Sequence, residues 1–333
     1  MIATSFQADS AVLRTSVVDA LSSEMLRQLN RLNPVISSLH ILLEWLTIAG
    51  CIALAKFTNN PWLTLAAIVM IGARQHSLAV LMHEGTHFRL SNNRVLNDRI
   101  AEIFTAWPLF ISLPTYRESH FAHDRYVNTS QDPDWQRKQN PDWLFPKSAL
   151  QISILFLKEM SMITIIPQIA DTFALLDLPL ILSAKDWKRE TLRVVFYAIL
   201  VCIIIWMHAW QDVLIFWILP FYLVFMTIAR LRSIAEHFGL EYNSADPLTQ
   251  TRTTKAGLVE SILICPNNVN YHLDHHLVPS VPFYNLPKLH QALCSSSIYL
   301  KQASITDGYY GVILDCMNKQ PKISDLKRHE SSA

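Results

Sequence analysis

The sequence predicts an all-α membrane protein: four transmembrane helices in two hairpins, with a cytoplasmic helical cap holding a histidine-rich metal site. Three observations carry that expectation. Of the 333 residues, 51% are hydrophobic and 17% charged, and the mean hydropathy is positive, a mixture that suits membrane spans joined to a polar body. Four long apolar runs come in two closely spaced pairs. Eight of the thirteen histidines sit in four short places at helical spacing, outside those runs.

Residues 1–34 carry Asp9, Asp19 and Glu24 and no apolar core, so they read as an N-terminal cytoplasmic arm with a turn or two of amphipathic helix and not as a secretory signal. A single domain then runs over 35–315, followed by a polar tail over 316–333. The first span, about 35–55, carries His40 and Glu44 near its start, which must face protein or the interface. The second, about 61–82, is interrupted by Arg74, Gln75 and His76. Its helix is expected to leave the hydrocarbon near Arg74, which can snorkel, and to continue as a stalk carrying His83 and His87. The second hairpin is formed by 192–210 and 212–229, with a kink expected at Pro220.

Charge orients the spans. The connectors around 57–60 and Gln211 contain no Lys or Arg, whereas residues 83–190 contain twelve and residues 230–333 contain ten. By the positive-inside rule the cap, 83–190 with 230–315, and both termini are cytoplasmic. Apolar segments near 100–115 and 150–183 are broken by Pro108, Pro114, Lys158, Glu159, Pro167 and Asp171, and read as interfacial or re-entrant pieces. With a net charge of +1 there is no nucleic-acid footprint, and five cysteines without a CxxC pair give no disulfide framework.

The histidines carry the chemistry. HEGTH places His83 and His87 four apart on one helical face, and HFAHD places His120 and His123 three apart, followed by Asp124. His237 stands alone in AEHFG, and HLDHH gathers His272, His275 and His276 within one turn and a half. Eight imidazoles exceed what one metal takes, so two metals are expected. A donor set of imidazole, with room for one carboxylate and no thiolate, favours iron, then copper or manganese. A pair of irons at a membrane edge that binds oxygen can remove hydrogen from an unactivated C–H bond, which no side chain does alone.

The succession HEGTH, HFAHDRYVNTSQDPDW, EHFG and NNVNYHLDHHLVPSVPFYNLPKLH, over residues 83–290, resembles the membrane fatty acid desaturase superfamily, and its last motif is nearest the bacterial branch. The resemblance implies a four-span protein of the bacterial inner membrane with a di-iron centre and O2 as co-substrate. It also implies oxygen-dependent insertion of a C=C bond into a fatty acyl chain, on a lipid or an acyl thioester. The metal ligands it implies are His83, His87, His120, His123, His237, His272, His275 and His276.

The chain departs from that family where a middle box ending in two histidines is usual, since His123 is followed by Asp124. Two roles are open to Asp124: an iron ligand, or an acceptor for the N–H of a ligating imidazole. Other polar residues have plainer readings. His76 reads as hydrogen-bonded or interfacial, His40 and His208 as interfacial, and His290 and His329 as surface. Asp132 and Asp134 read as caps of a turn or helix, and Asn267, Asn268 and Asn270 as turn formers beside one possible role of holding a metal-bound water. Arg252 and Lys255 belong to a solvated loop or contact an anionic headgroup or carrier, while Glu84, Glu236 and Asp274 are expected to orient imidazoles.

The sequence has no haem-binding HPGG, no cysteine set for an iron–sulfur cluster and no GxGxxG after a strand. Electrons are therefore expected from a separate ferredoxin-like or cytochrome-like protein with its reductase. Alternatives to acyl desaturation are a hydroxylase or ketolase on the same scaffold and a desaturase of a small secondary metabolite, amino-acid-like and of the rhizobitoxine type. A metal transporter or sensor is remote, because 194–207 and 213–229 offer almost no polar groups.

Overall fold

A computed structural model describes residues 17–18, 21–161, 163, 169, 187–240 and 246–318, and the elements below are those of the described residues. In chain order these include α1 (Ser23–Leu29), α2 (Pro34–Thr58), α3 (Pro61–Thr86), α4 (Arg94–Ala101), α5 (Leu113–Tyr126), α6 (Ala149–Met160), α7 (Trp187–Trp206) and α8 (Trp210–His237). There follow β1 (Thr253–Lys255), α9 (Leu258–Leu263), α10 (His272–Leu277), α11 (Leu286–Leu293), α12 (Ser297–Gln302), β2 (Ile305–Asp307) and α13 (Gly308–Asn318). The fold is mostly helical, and its chain divides into two units.

The first unit comprises 33–117 and 156–229. The α2/α3 hairpin owes its tight turn to Asn59–Asn60–Pro61. Asn59 takes the left-handed conformation (φ 49°) that ends α2. Asn60 then caps α3, its Oδ1 accepting from Trp62 N at 2.9 Å, and Pro61 enters where a missing N–H costs nothing. α7 and α8 are joined by a turn at 207–209 with His208 at φ 52°. Around Pro220, where the sequence suggests a kink, the helix carries two π-helical segments, Leu214–Ile218 and Phe221–Phe225, on either side of the proline. Gln75 Nε2 reaches Trp217 O at 2.9 Å, and Trp45 stacks on Trp217 at 5.5 Å, so polar and aromatic contacts both bind the two hairpins.

Arg74 does not snorkel. Its Nη1 lies 3.2 Å from Glu44 Oε2 on α2, and with both side chains nearly buried each charge neutralises the other. α3 is one continuous helix to Thr86, so the stalk and the span are the same element.

Among the described residues, three helical stretches are long and apolar enough to cross a membrane: Ser23–Thr58, Pro61–Thr86 and Trp210–His237. The fourth expected span, 192–210, falls on α7. That helix opens with Lys188, Arg189, Glu190 and Arg193, and it is not among the three. Neither apolar piece near 100–115 or 150–183 is a long helix where it is described. The first is a π turn (Glu102–Ala106) and a 3-10 turn (Trp107–Leu109). The second is α6, with 164–168 and 170–186 outside the described residues, as is the tail beyond Asn318.

The second unit comprises 1–32, 118–155 and 230–333. α11 carries Leu286, Leu289 and Leu293 on one face, and α10 adds Leu273 and Leu277, four apart. Val281, Leu248 and Tyr299 complete a buried core into which Val17, Leu21 and Leu29 of the arm also pack. Asn285 Nδ2 donates to Leu29 O at 2.8 Å and fixes the arm there. Burying the two leucines of α10 turns its histidines to the remaining faces of a six-residue helix.

Gly72 on α3 faces α8 so closely that an added Cβ would lie 2.4 Å from Val224 Cβ and 2.9 Å from Pro220 O. Gly50 on α2 has nothing within 4 Å. Gly72→Ala is expected to destabilise the protein by about 1–3 kcal/mol, the usual cost of overpacking. Gly50→Ala is expected to be neutral or slightly stabilising. Thermal unfolding of both variants in one detergent checks the contrast.

Candidate metal centre

Four imidazoles converge within the second unit. His123 comes from α5, His237 from the last position of α8, and His272 and His276 from α10. One nitrogen from each lies within 4.8 Å of one from every other. His272 Nε2 stands 2.9 Å from His237 Nε2 and 3.0 Å from His276 Nε2, and the His123 ring is 4.7 Å from that of His237, edge to face. His123, His237 and His272 are buried and His276 is half-buried.

The donor set fits a metal ion. Burial, and then the neighbouring His276 and His237, hold the His272 pKa well below the ordinary histidine value, so its ring stays neutral with a lone pair to offer. Neutral nitrogens at contact distance repel unless a proton or a cation sits between them, and a cation can engage all four at once.

One ring of the four is held from behind. His123 Nδ1 lies 2.9 and 3.0 Å from the two oxygens of buried Asp132, which fixes the tautomer that turns Nε2 towards the other rings. Burial alone would lower the His123 pKa, but the Asp132 hydrogen bond and the charges of Asp134 and Asp132 raise it overall. Asp132 also accepts from Asn128 N at 2.9 Å and Asp134 N at 2.8 Å, so it is both the expected helix cap and the support of a candidate ligand. Nothing in its sequence position separates those roles. Asn128, itself at φ 53°, donates from Nδ2 to His237 O at 3.1 Å.

The remaining candidates form pairs. In the first unit His83 and His87 have ring centroids 4.8 Å apart, with His83 in the last turn of α3 and His87 as its cap. In the second unit His120 and His275 bring ligand nitrogens within 4.8 Å. Asp124 belongs to no such group. Its Oδ1 lies 3.4 Å from His120 Nε2 and 3.7 Å from His276 Nδ1, the ring nitrogen turned away from His272. His76 is buried outside both groups of rings, 6.1 Å from Phe225.

Several expectations change. Arg252 is neither solvated nor available to an anionic ligand. It is buried, and its Nη1 donates to Ala235 O at 2.7 Å and Phe238 O at 3.2 Å at the end of α8. Lys255 is exposed beside Asp307, at 3.6 Å. Asp274 orients no ligand imidazole. It accepts from the Tyr299 hydroxyl, from Thr253 Oγ1 at 3.1 Å and from His290 Nδ1 at 3.0 Å, which draws His290 from the surface into a buried network. Burial, then Asp274, pushes the Tyr299 pKa up and keeps that hydroxyl a donor. Glu236 pairs with Arg232 at 2.8 Å and stands 3.7 Å from His272 Nε2, and Glu84 is 3.8 Å from His83 Nδ1. Asn267 and Asn268 take left-handed turn conformations, while Asn270 Nδ2 donates to Thr254 O at 2.8 Å.

Comparison with known proteins follows the same residues. A family model described as fatty acid desaturase matches residues 60–300. The chain is 28% identical over 322 residues to the dihydrorhizobitoxine desaturase of Bradyrhizobium elkanii, covering 91% of this chain and 89% of that protein.

Asp132→Asn keeps the shape but removes the charge behind His123. Outer support of this kind is worth about 10–100-fold in metal affinity. Titration of the variant with a competing chelator is expected to show a loss in that range. A helix cap alone predicts no change in affinity.

Proposed function

The chain belongs to the fatty acid desaturase family, and on that premise we propose that it is a membrane-bound, oxygen-dependent desaturase with a di-iron centre. The observation that carries the reading is the convergence of His123, His237, His272 and His276 within 4.8 Å. These four would hold one iron, and His83, His87, His120 and His275 are the remaining candidate ligands for a second. When bound and reduced, the irons supply the oxygen-dependent removal of hydrogen from an unactivated C–H bond.

The chain's own residues hold and shield this chemistry. Asp132 keeps His123 in one tautomer, and Asn128 and Arg252 hold the end of α8 that carries His237. Asp124 stands as a carboxylate charge beside His120 and His276, 3.4 and 3.7 Å from a ring nitrogen of each, and eight histidines are counted as ligands. Electrons arrive from a separate ferredoxin-like or cytochrome-like protein with its reductase. The site faces the cytoplasm of a bacterial inner membrane, and α7 is the fourth span, with its charged start at the cytoplasmic surface.

The family match supports a fatty acyl chain, in a lipid or as a thioester, as the substrate. The similarity to an enzyme named for dihydrorhizobitoxine favours a second reading, desaturation of a small metabolite of that kind.

Iron counted on the protein purified in detergent is expected at two per chain, falling towards one in His276→Ala and staying at two in Asp124→Ala. One iron in Asp124→Ala would make that carboxylate a ligand, and iron-free protein with stoichiometric zinc would sink the oxidative reading. Mass spectrometry of lipids and of small metabolites from an expressing host then separates substrates. A product lighter by two hydrogens marks desaturation, and one heavier by an oxygen marks hydroxylation.

A further inference from the structure

The residue after the first histidine box takes a backbone conformation that favours glycine. Phe88 follows the cap His87 and has φ 59°, the left-handed region that closes a helix and that a bulky side chain adopts only at a cost. Arg89 N reaches back to Glu84 O at 2.8 Å and Phe88 N to Gly85 O at 3.2 Å, the pattern a glycine would normally allow. Strain of this kind persists where surrounding groups hold it, and it concentrates at functional sites.

The holding group is Arg117. Its guanidinium lies 4.1 Å from the centroid of the Phe88 ring, with Arg94 4.8 Å from the same ring. Its Nε donates to Thr86 O at 3.0 Å and its Nη2 to Gly85 O at 3.0 Å, two carbonyls at the end of α3. Asp98 fixes the fork, with Nη2 at 2.6 Å and Nη1 at 3.2 Å, and Asn97 Nδ2 adds a bond to Gly85 O at 2.8 Å. All these groups belong to the first unit.

We propose that Arg117 is a positioning residue for the metal centre: it clamps the strained end of α3 and so fixes the angle at which the His83 and His87 rings face each other. The proposal rests on the reading of those two histidines as iron ligands. Only a planar fork reaches both carbonyls while stacking on Phe88, so lysine replaces it in part at most. The strain and the clamp are a matched pair. With glycine at position 88 the turn needs no clamp.

The test counts iron per chain and records thermal unfolding in detergent for Arg117→Gln, Arg117→Lys, and Arg117→Gln combined with Phe88→Gly. Arg117→Gln is expected to fall from two irons towards one, Arg117→Lys to lie between, and the double variant to regain at least half of the lost iron. Two irons in Arg117→Gln would overturn the proposal, as would a double variant no better than the single. Should Arg117→Gln fail to fold, Asp98→Asn releases the same fork with a smaller change and is read the same way. Iron-free wild type would instead refute the di-iron reading itself, so the two failures are distinguishable.

Discussion

Helix ends leave carbonyls without partners, and in this protein the helix ends that carry histidines are where side chains from distant sequence arrive to accept that task. Arg117 serves the end of α3, at Gly85 and Thr86. Asn128 serves His237 O, and Arg252 serves Ala235 O and Phe238 O at the end of α8. A histidine in a last helical turn is only as well placed as that turn, and last turns fray. Side-chain donors to the carbonyls convert fraying ends into fixed ones, and the convergence of rings depends on it.

A second constraint concerns charge. Buried imidazoles offer lone pairs only while neutral, so carboxylates have to stand near enough to select a tautomer without drawing every ring into the protonated state. The structure meets this at three nearby acids by giving them other partners. Asp132 shares its oxygens with two backbone N–H groups, Glu236 is paired with Arg232, and Asp274 is saturated by a tyrosine, a threonine and a histidine. The cation at Arg252 is likewise spent on carbonyls.

The histidine boxes were legible in the sequence because their spacing repeats the helical period, and the helices that bear them form where that period places them. The long apolar runs were equally plain. What stayed hidden was partnership across the chain. Arg74 reads as a snorkelling residue until Glu44, thirty positions away, is seen 3.2 Å from it. Asp132 reads as a cap because capping is local and its hold on His123 is not, and Asp274 reads as an imidazole support because it sits among histidines, although its partners lie on β1, α11 and α12. Arg117 carries no signal at all, since its value lies in a strained turn that no composition announces. The charged start of α7 shows the opposite limit: an apolar run visible in sequence need not coincide with a whole helix.

β1 and β2 pair in parallel, with Thr253 opposite Ile305 and Lys255 opposite Asp307. The chain thus departs at one point and returns to its own side after some fifty residues, having built α9 to α12 on the way, the third histidine box among them. An excursion closed in this manner can lengthen, shorten or change its lining while its ends stay where they are, because extra loop length costs little once closure is made. Two short strands in an otherwise helical protein therefore act as a hem. They pin the two ends of the segment bearing His272, His275 and His276 to each other.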